Sequence, residues 1–363
     1  MTVRHLVAMA TGHYEDTFER VRKLDPAEPV RGFLLVPPDE EPGTVFAYNN
    51  TATYVVGAIV QRLTGETLTG YLGPRLFAPL GIDQAYWDSD PTGRDLGFTG
   101  LHLTTEAVAR FGQLYLDDGV WRGTRVLPPG WVAEATARHT PNEGEPQPDW
   151  QHGYGYQFWQ SRHGYRGDGA YGQFCLVLPG QDAVVVTTAA TENMQGLLDA
   201  VWALLLPAFD GPGSAADDHR LAARLSALTL PVLDPARRSG WTNTPGLDAQ
   251  IEAVAVADDD RGGWALVVLE GGQRLEVRCG DQEWVRTSVP VGDHRRLEVE
   301  ACGVWADPSQ FSAELIFVQT PHRVRIRFEP ASGHSTVQWV TGPPLRSPAM
   351  LGLATPADVV LRG

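Results

Sequence analysis

The sequence predicts an α+β protein in three parts: a mixed helix-and-sheet region over residues 1–210, a linker over 211–247 and a β-rich domain over 248–363. Three observations predict it. Residues 51–206 carry apolar residues first at helical spacing, then in three short β-branched or aromatic runs, then at helical spacing again. Residues 210–247 are rich in Gly, Pro, Ala and charge, the composition of a connection. From about residue 249 the apolar period changes to two, as in half-buried strands.

Each element has its own signal. Residues 51–63 (TATYVVGAIVQRL) predict a helix, with Asn50 or Thr51 as its cap and Gly65 beyond its end. Residues 67–77 predict a second, stopped by Pro79 and Gly81. Residues 104–116 predict the clearest helix: Val108, Phe111, Leu114 and Tyr115 share a face and Gly119 closes it. A short helix is expected from Pro128 to about Arg138, then a Pro-rich loop over 141–152. Strands are expected at 154–160, 173–179 and 183–189, the last holding Val184, Val185 and Val186. Residues 194–206 predict a covering helix, and 219–228 a short one inside the linker. In the third part, 263–269, 273–279, 295–301, 312–319, 322–328 and 335–341 read as short strands of a sandwich or barrel-like sheet.

Composition excludes several functions. The net charge of −15 argues against nucleic-acid binding, which needs a basic face, and disfavours anionic membranes. No run approaches the roughly 20 apolar residues of a membrane span. Cys175, Cys279 and Cys302 are far apart, so neither a zinc site nor a disulfide framework is expected, and no cofactor is called for. Cys175 lies in an apolar run and reads as core. His5, His13, His102, His139, His152 and His163 are scattered without metal-ligand spacing. No GxSxG elbow occurs. The few cysteines and the absence of a leader lean towards the cytoplasm, an expectation that a leader upstream of this chain would reverse.

Four segments carry chemistry. They are Thr2-Val3-Arg4-His5-Leu6-Val7-Ala8-Met9-Ala10-Thr11-Gly12-His13, then Tyr48-Asn49-Asn50 ahead of the first long helix. Leu103 to Tyr115 (LTTEAVARFGQLY) follows, and then Gly153-Tyr154-Gly155-Tyr156 with Gly167-Asp168-Gly169-Ala170-Tyr171-Gly172-Gln173. In this order they resemble the class C β-lactamase, penicillin-binding protein and esterase family over residues 1 to about 207. The resemblance implies a β-lactamase/transpeptidase-like domain and a serine hydrolase acting on a small ester, amide or peptide through an acyl-enzyme. It implies that Tyr48 relays the proton and that Asn50 hydrogen-bonds the activating lysine or the substrate amide. It assigns Gly167, Asp168 and Gly169 to substrate binding, with a backbone amide for the oxyanion.

The chain departs from that family in two places. A serine with a lysine three residues on places both side chains on one helical face, but the sole lysine is Lys23 and Arg20 stands three residues before it. The reading is therefore of a domain lacking its amino-terminal strands and Ser-x-x-Lys helix, with an unpaired edge that invites self-association. The alternative is a non-catalytic pseudoenzyme or binding protein that keeps the pocket. The triplet Gly167-Asp168-Gly169 also lacks the family's leading Lys or His; Arg166 or His163 is the nearest source of charge. Of the aromatics Trp150, Tyr154, Tyr156, Phe158, Trp159 and Tyr165, half are expected to pack inside and half to line a pocket.

Overall fold

The computed structural model describes residues 1–233, 251–343 and 349–357. Packing separates a first unit, Met1–Ala189 with Asn193–Ala203, from a second that comprises Ala190–Glu192 and the described part of Leu204–Val359.

The first unit opens with three short helices, α1 (Val3–Val7), α2 (Phe18–Leu24) and α3 (Pro29–Leu35). They pack on the long helix α4 (Asn50–Thr64) through Leu6, Val21, Phe33, Val36, Ala52, Tyr54, Val55 and Ala58. The cap of α4 is Asn49, not Asn50 or Thr51. Its Oδ1 accepts from the Thr51 and Ala52 amides at 3.1 and 3.3 Å and from Thr17 Oγ1 at 3.0 Å. Three adjacent polar residues leave the choice open locally; burial decides it, because Asn49 is wholly enclosed while Asn50 is half-exposed. Asn49→Ala strands three donors, so a loss of about 1–2 kcal/mol is expected in chemical denaturation.

Further along come α5 (Leu68–Leu72), continued by a wider turn over Gly73–Phe77, and the two-residue ribbon β1 (Tyr86–Trp87) with β2 (Leu101–His102). The helix α6 (Thr105–Leu116) is capped by the Thr104 side chain, which accepts from the Ala107 amide. A second ribbon, β3 (Val120–Trp121) with β4 (Thr124–Arg125), leads to α7 (Trp131–Ala135).

A four-stranded antiparallel sheet follows, in the order β5 (Trp159–Gln160), β6 (Tyr165–Gly169), β7 (Gln173–Leu178), β8 (Ala183–Thr187). One expectation is corrected here. The strand expected over 154–160 shrinks to Trp159–Gln160. Gln157 takes a left-handed φ of 62° and the Gly155 amide donates to the Phe158 carbonyl, so the chain doubles back before it can pair. The glycine-rich stretch 167–173 begins as the end of strand β6, and its turn is confined to Ala170–Gly172. Gly167 and Gly169 have no strand propensity of their own; their pairing with Cys175 and Gln173 makes them extended. Helix α6 lies on the Cys175 and Val184 face. Gly112 permits that approach, since a Cβ there would meet Val184 and Cys175 side-chain atoms at 2.6 and 2.7 Å. The helix α8 (Met194–Ala200) follows the sheet and packs near Pro148–Trp150. Among the described residues β8 pairs only with β7.

In the second unit, α9 (Ala215–Ser226) stands within the stretch expected as linker and buries none of its side chains. Residues 234–247 of that stretch lie outside the described residues. The β-rich part is one curled, nine-stranded sheet: β9 (Ile251–Asp258), β10 (Trp264–Glu270), β11 (Gln273–Asp281), β12 (Val285–Val291), β13 (Arg295–Asp307), β14 (Gln310–Phe317), β15 (Arg323–Glu329), β16 (His334–Thr341) and β17 (Thr355–Pro356). The strands β9, β12 and β17 were not among those expected. β12 contains Pro290, which reads as a break; it is tolerated because β12 pairs along one edge only, with β13. Alternate residues of the strands, among them Leu266, Val277, Val299, Phe311, Leu315 and Ile326, form the core. Glu270 is buried and accepts from the Met350 and Leu351 amides at 3.0 and 2.8 Å, which ties residues 350–353 to the end of β10.

No helix among the described residues is long and apolar enough to cross a membrane.

Candidate active site

The site is built on a turn, a loop and a strand edge. The turn is 8–13, where Met9 is enclosed with a left-handed φ of 53° and Gly12 has φ 87°. A Cβ on Gly12 would lie 2.4 Å from the Glu40 carbonyl oxygen, so only glycine fits. The loop is strapped to this turn by the Gly43 amide on the Ala10 carbonyl and the Ala47 amide on the Met9 carbonyl. It ends in Tyr48-Asn49-Asn50 at the start of α4.

Tyr48 is 38% exposed. Its ring stacks on Trp159 at 5.6 Å and meets Tyr154 edge-on at 6.3 Å. Phe46 closes on Tyr154 and Trp159 at 5.6 and 5.5 Å. Desolvation by these rings, reinforced by the carboxylates of Asp168 and Asp16, pushes the Tyr48 hydroxyl up to about 12. Asn50 does not stand free: its Nδ2 donates to Asp16 Oδ2 at 2.6 Å and its amide to Asp16 Oδ1 at 3.2 Å. Asp16 thus holds the start of α4 from outside the motif.

The strand edge is β6. Tyr165 and Arg166 pair with Gln160 and Trp159 of β5 on one side. Gly167, Asp168 and Gly169 pair only with β7, so among the described residues their other edge carries no strand. Such an edge offers backbone donors and acceptors to an extended ligand.

Arg166 and Asp168, two residues apart on β6, share one face of the sheet. Arg166 is completely buried, and its Nε donates to Asp168 Oδ2 at 2.9 Å. Its Nη1 donates to the Asp149 carbonyl at 2.9 Å, the Gln160 carbonyl at 3.2 Å and Ser161 Oγ at 2.8 Å. Its guanidinium lies 4.6 Å from the centre of the Trp150 ring and 5.8 Å from that of Trp159. Behind it Asp149 is enclosed, accepting from Trp202 Nε1, Gln195 Nε2 and Arg162 Nη2. Burial pushes both members of the pair towards their neutral forms: Asp168 rises to about 6 despite Arg166, and Arg166 is lowered despite Asp168. Desolvation therefore outweighs the attraction within the pair.

Tyr48 stacks on Trp159, whose ring centre lies 5.8 Å from the Arg166 guanidinium that pairs with Asp168; among the described residues Gly167 and Gly169 pair on one side only, and Asn50 is bonded to Asp16. Arg166 faces inward, and the His163 ring packs 5.1 Å from Trp202. Of the six aromatics, Tyr154, Phe158, Trp159 and Tyr165 are buried, while Trp150 and Tyr156 are half-buried. Lys23 is exposed on α2. Sequence reasoning missed Asp16 and Asn49. The signal for Asn49 was its place ahead of a helix; for Asp16, 34 residues from Asn50, there was none. Among the described residues no group of three or more His, Cys, Asp or Glu side chains is arranged to hold a metal.

A family model described as Beta-lactamase matches residues 1–223, more than half of the chain. The chain belongs to the β-lactamase family. It is 30% identical over 218 residues to penicillin-binding protein 4 of Amycolatopsis lactamdurans, covering 48% of this chain and 57% of that one. It is 31% identical over 193 residues to the 6-aminohexanoate-dimer hydrolase of Paenarthrobacter ureafaciens, covering 50% of this chain and 49% of that one. The chain thus spans about half the length of the curated relatives it matches. A solved structure, the octameric penicillin-binding protein homologue from Pyrococcus abyssi, aligns with 87% of this chain and 76% of its own, at 16% identity and a TM-score of 0.41. Membership gives the first unit a β-lactamase/transpeptidase-like fold, and Tyr48-Asn49-Asn50 and the β6 edge lie inside the matched region.

Proposed function

We propose that this chain carries the substrate-side half of a serine hydrolase site, acting on a small ester, amide or peptide through an acyl-enzyme. The observation that carries the reading is the half-exposed Tyr48 beside a strand edge that is open over Gly167–Gly169. Tyr48 passes the proton between nucleophile and leaving group. The open edge aligns the substrate and gives a backbone amide to the oxyanion. Asn50 on Asp16 fixes the helix start that presents Tyr48. The boundaries 1–210, 211–247 and 248–363 are part of this proposal, as is self-association through the edge of β8.

A serine–lysine pair is not found in these 363 residues. The attacking oxygen and its amine activator are, on this reading, supplied from outside the sequence given. The lone exposed lysine favours a second reading, a protein that binds the ligand without cleaving it.

A fluorophosphonate probe, which labels activated serines, separates them. The chain as given is expected to stay unlabelled. A product that includes in-frame upstream sequence with Ser-x-x-Lys is expected to label, and Tyr48→Phe in that product to slow labelling by about 10²–10⁴-fold. Labelling of the given chain would sink the proposal, and a stop codon directly upstream would favour the binding protein.

A further inference from the structure

Residues 154–159 double back as a tight hairpin whose two ends carry the rings that Tyr48 rests against. Tyr154 and Trp159 pair across it. Tyr48 stacks on Trp159 at 5.6 Å with 17° between the planes and meets Tyr154 edge-on at 6.3 Å. At the tip stands Gln157, in a left-handed conformation with φ 62°. Glycine adopts that conformation freely and side chains resist it, so the turn alone does not call for glutamine. The side chain is used elsewhere. Its Nε2 donates to the Val7 carbonyl at 3.1 Å, beside the residue's own amide at 3.0 Å, and its Oε1 accepts from Thr53 Oγ1 at 3.0 Å. Val7 ends α1, just before Met9, whose carbonyl takes the Ala47 amide. Thr53 lies in the first turn of α4, whose cap, Asn49, follows Tyr48 directly. The two partners of Gln157 therefore bracket the loop that presents Tyr48.

We infer that Gln157 is a positioning residue for Tyr48. It fastens the Tyr154–Trp159 hairpin to the end of α1 and to α4, so that the spacing between hairpin and helix holds the Tyr48 ring on Trp159. Packing sets where a stacked ring lies, and the hydroxyl at its end moves with it. A group that passes a proton tolerates little of that movement, since a displacement of about 1 Å can cost about 10²-fold in rate. The consequence for the reaction rests on the reading of Tyr48 as the proton relay; the placement of the ring is tested apart from it.

The test uses the chain as it exists, with NMR of its tyrosine rings and Tyr48→Phe to assign the Tyr48 signals. Gln157→Gly suits the left-handed turn and keeps the amide on Val7 while removing the side chain. Thr53→Val removes the Oγ1 donor at nearly constant shape. In both variants Tyr48 is expected to lose about half or more of the ring-current shift that Trp159 imposes on it. The signals of Tyr71, whose ring packs on Arg75 of the neighbouring turn, are expected to stay in place. Thr53→Ser, which retains the hydroxyl, is expected to keep the native Tyr48 shift. A Tyr48 shift that persists in both variants, a change shared equally by Tyr71, or a Thr53→Ser that behaves like Thr53→Val overturns the inference. In the product that includes in-frame upstream sequence with Ser-x-x-Lys, Gln157→Gly is expected to slow fluorophosphonate labelling about tenfold. A Tyr48 ring that moves while the labelling rate does not upholds the placement and overturns the relay reading instead.

Discussion

Replacing Arg166 with methionine is expected to destabilise the first unit by about 3–5 kcal/mol near pH 8, measured by guanidinium denaturation. Methionine keeps an apolar stem against Trp150 but removes every donor. Asp168 is then an uncompensated carboxylate in a site that already pushes it up to about 6. The Asp149 and Gln160 carbonyls and Ser161 Oγ lose a partner at the same time. The pH dependence has a definite sign. Arg166 holds the Asp168 midpoint down, so its loss raises the folded value further above the unfolded one near 3.8. A raised carboxyl favours the folded state in its protonated form. The deficit of the variant is therefore largest at high pH and shrinks as the pH falls below the new midpoint.

The double variant Arg166→Met with Asp168→Leu removes both charges. Because burial pushes each member of the pair towards neutrality, the double variant is expected to recover most of the loss. A single variant that costs under 1 kcal/mol, or a double variant no better than the single, would show that the pair does not bear on stability as described.

The second large effect is expected in the β-rich unit. Phe311 on β14 is fully buried, packs against Trp305 at 5.2 Å and Trp264 at 6.1 Å, and pairs with Phe328 and Trp305 across its two neighbouring strands. Gly303 on β13 makes room for it: a Cβ there would come within 2.5 Å of Phe311 Cζ. Phe311→Ala leaves a cavity walled by two tryptophans and the sheet, a loss of about 3–5 kcal/mol. The tryptophan fluorescence of this unit reports its unfolding midpoint directly. A midpoint shift equivalent to less than 1 kcal/mol would mean that the ring is not where the core is anchored.

Much of this architecture was legible from residue order. The runs that became α4 and α6 carry helical spacing and end at Gly65 and near Gly119, and each appears within two residues of its expected bounds. The alternation Arg323-Val324-Arg325-Ile326-Arg327-Phe328 became β15 with Val324, Ile326 and Phe328 inside. These features are local: backbone geometry and burial on one face need only neighbours within a few residues. The order of the four motifs and the single lysine are likewise facts of sequence, and they name the family and the departure from it.

Only the tertiary structure decided which residues the site rests on. That Asn49 caps α4 while Asn50 turns to Asp16 depends on a partner 34 residues away. That, among the described residues, Gly167–Gly169 pair on one side only depends on β7 pairing that side and β5 stopping short on the other. That Arg166 is spent inward on Asp168 depends on Trp150, Asp149 and Gln160 enclosing it. Desolvation is the physical reason in each case. The cost of removing a polar group from water, and the partner that offsets it, are set by what surrounds it in space, and no local pattern encodes that.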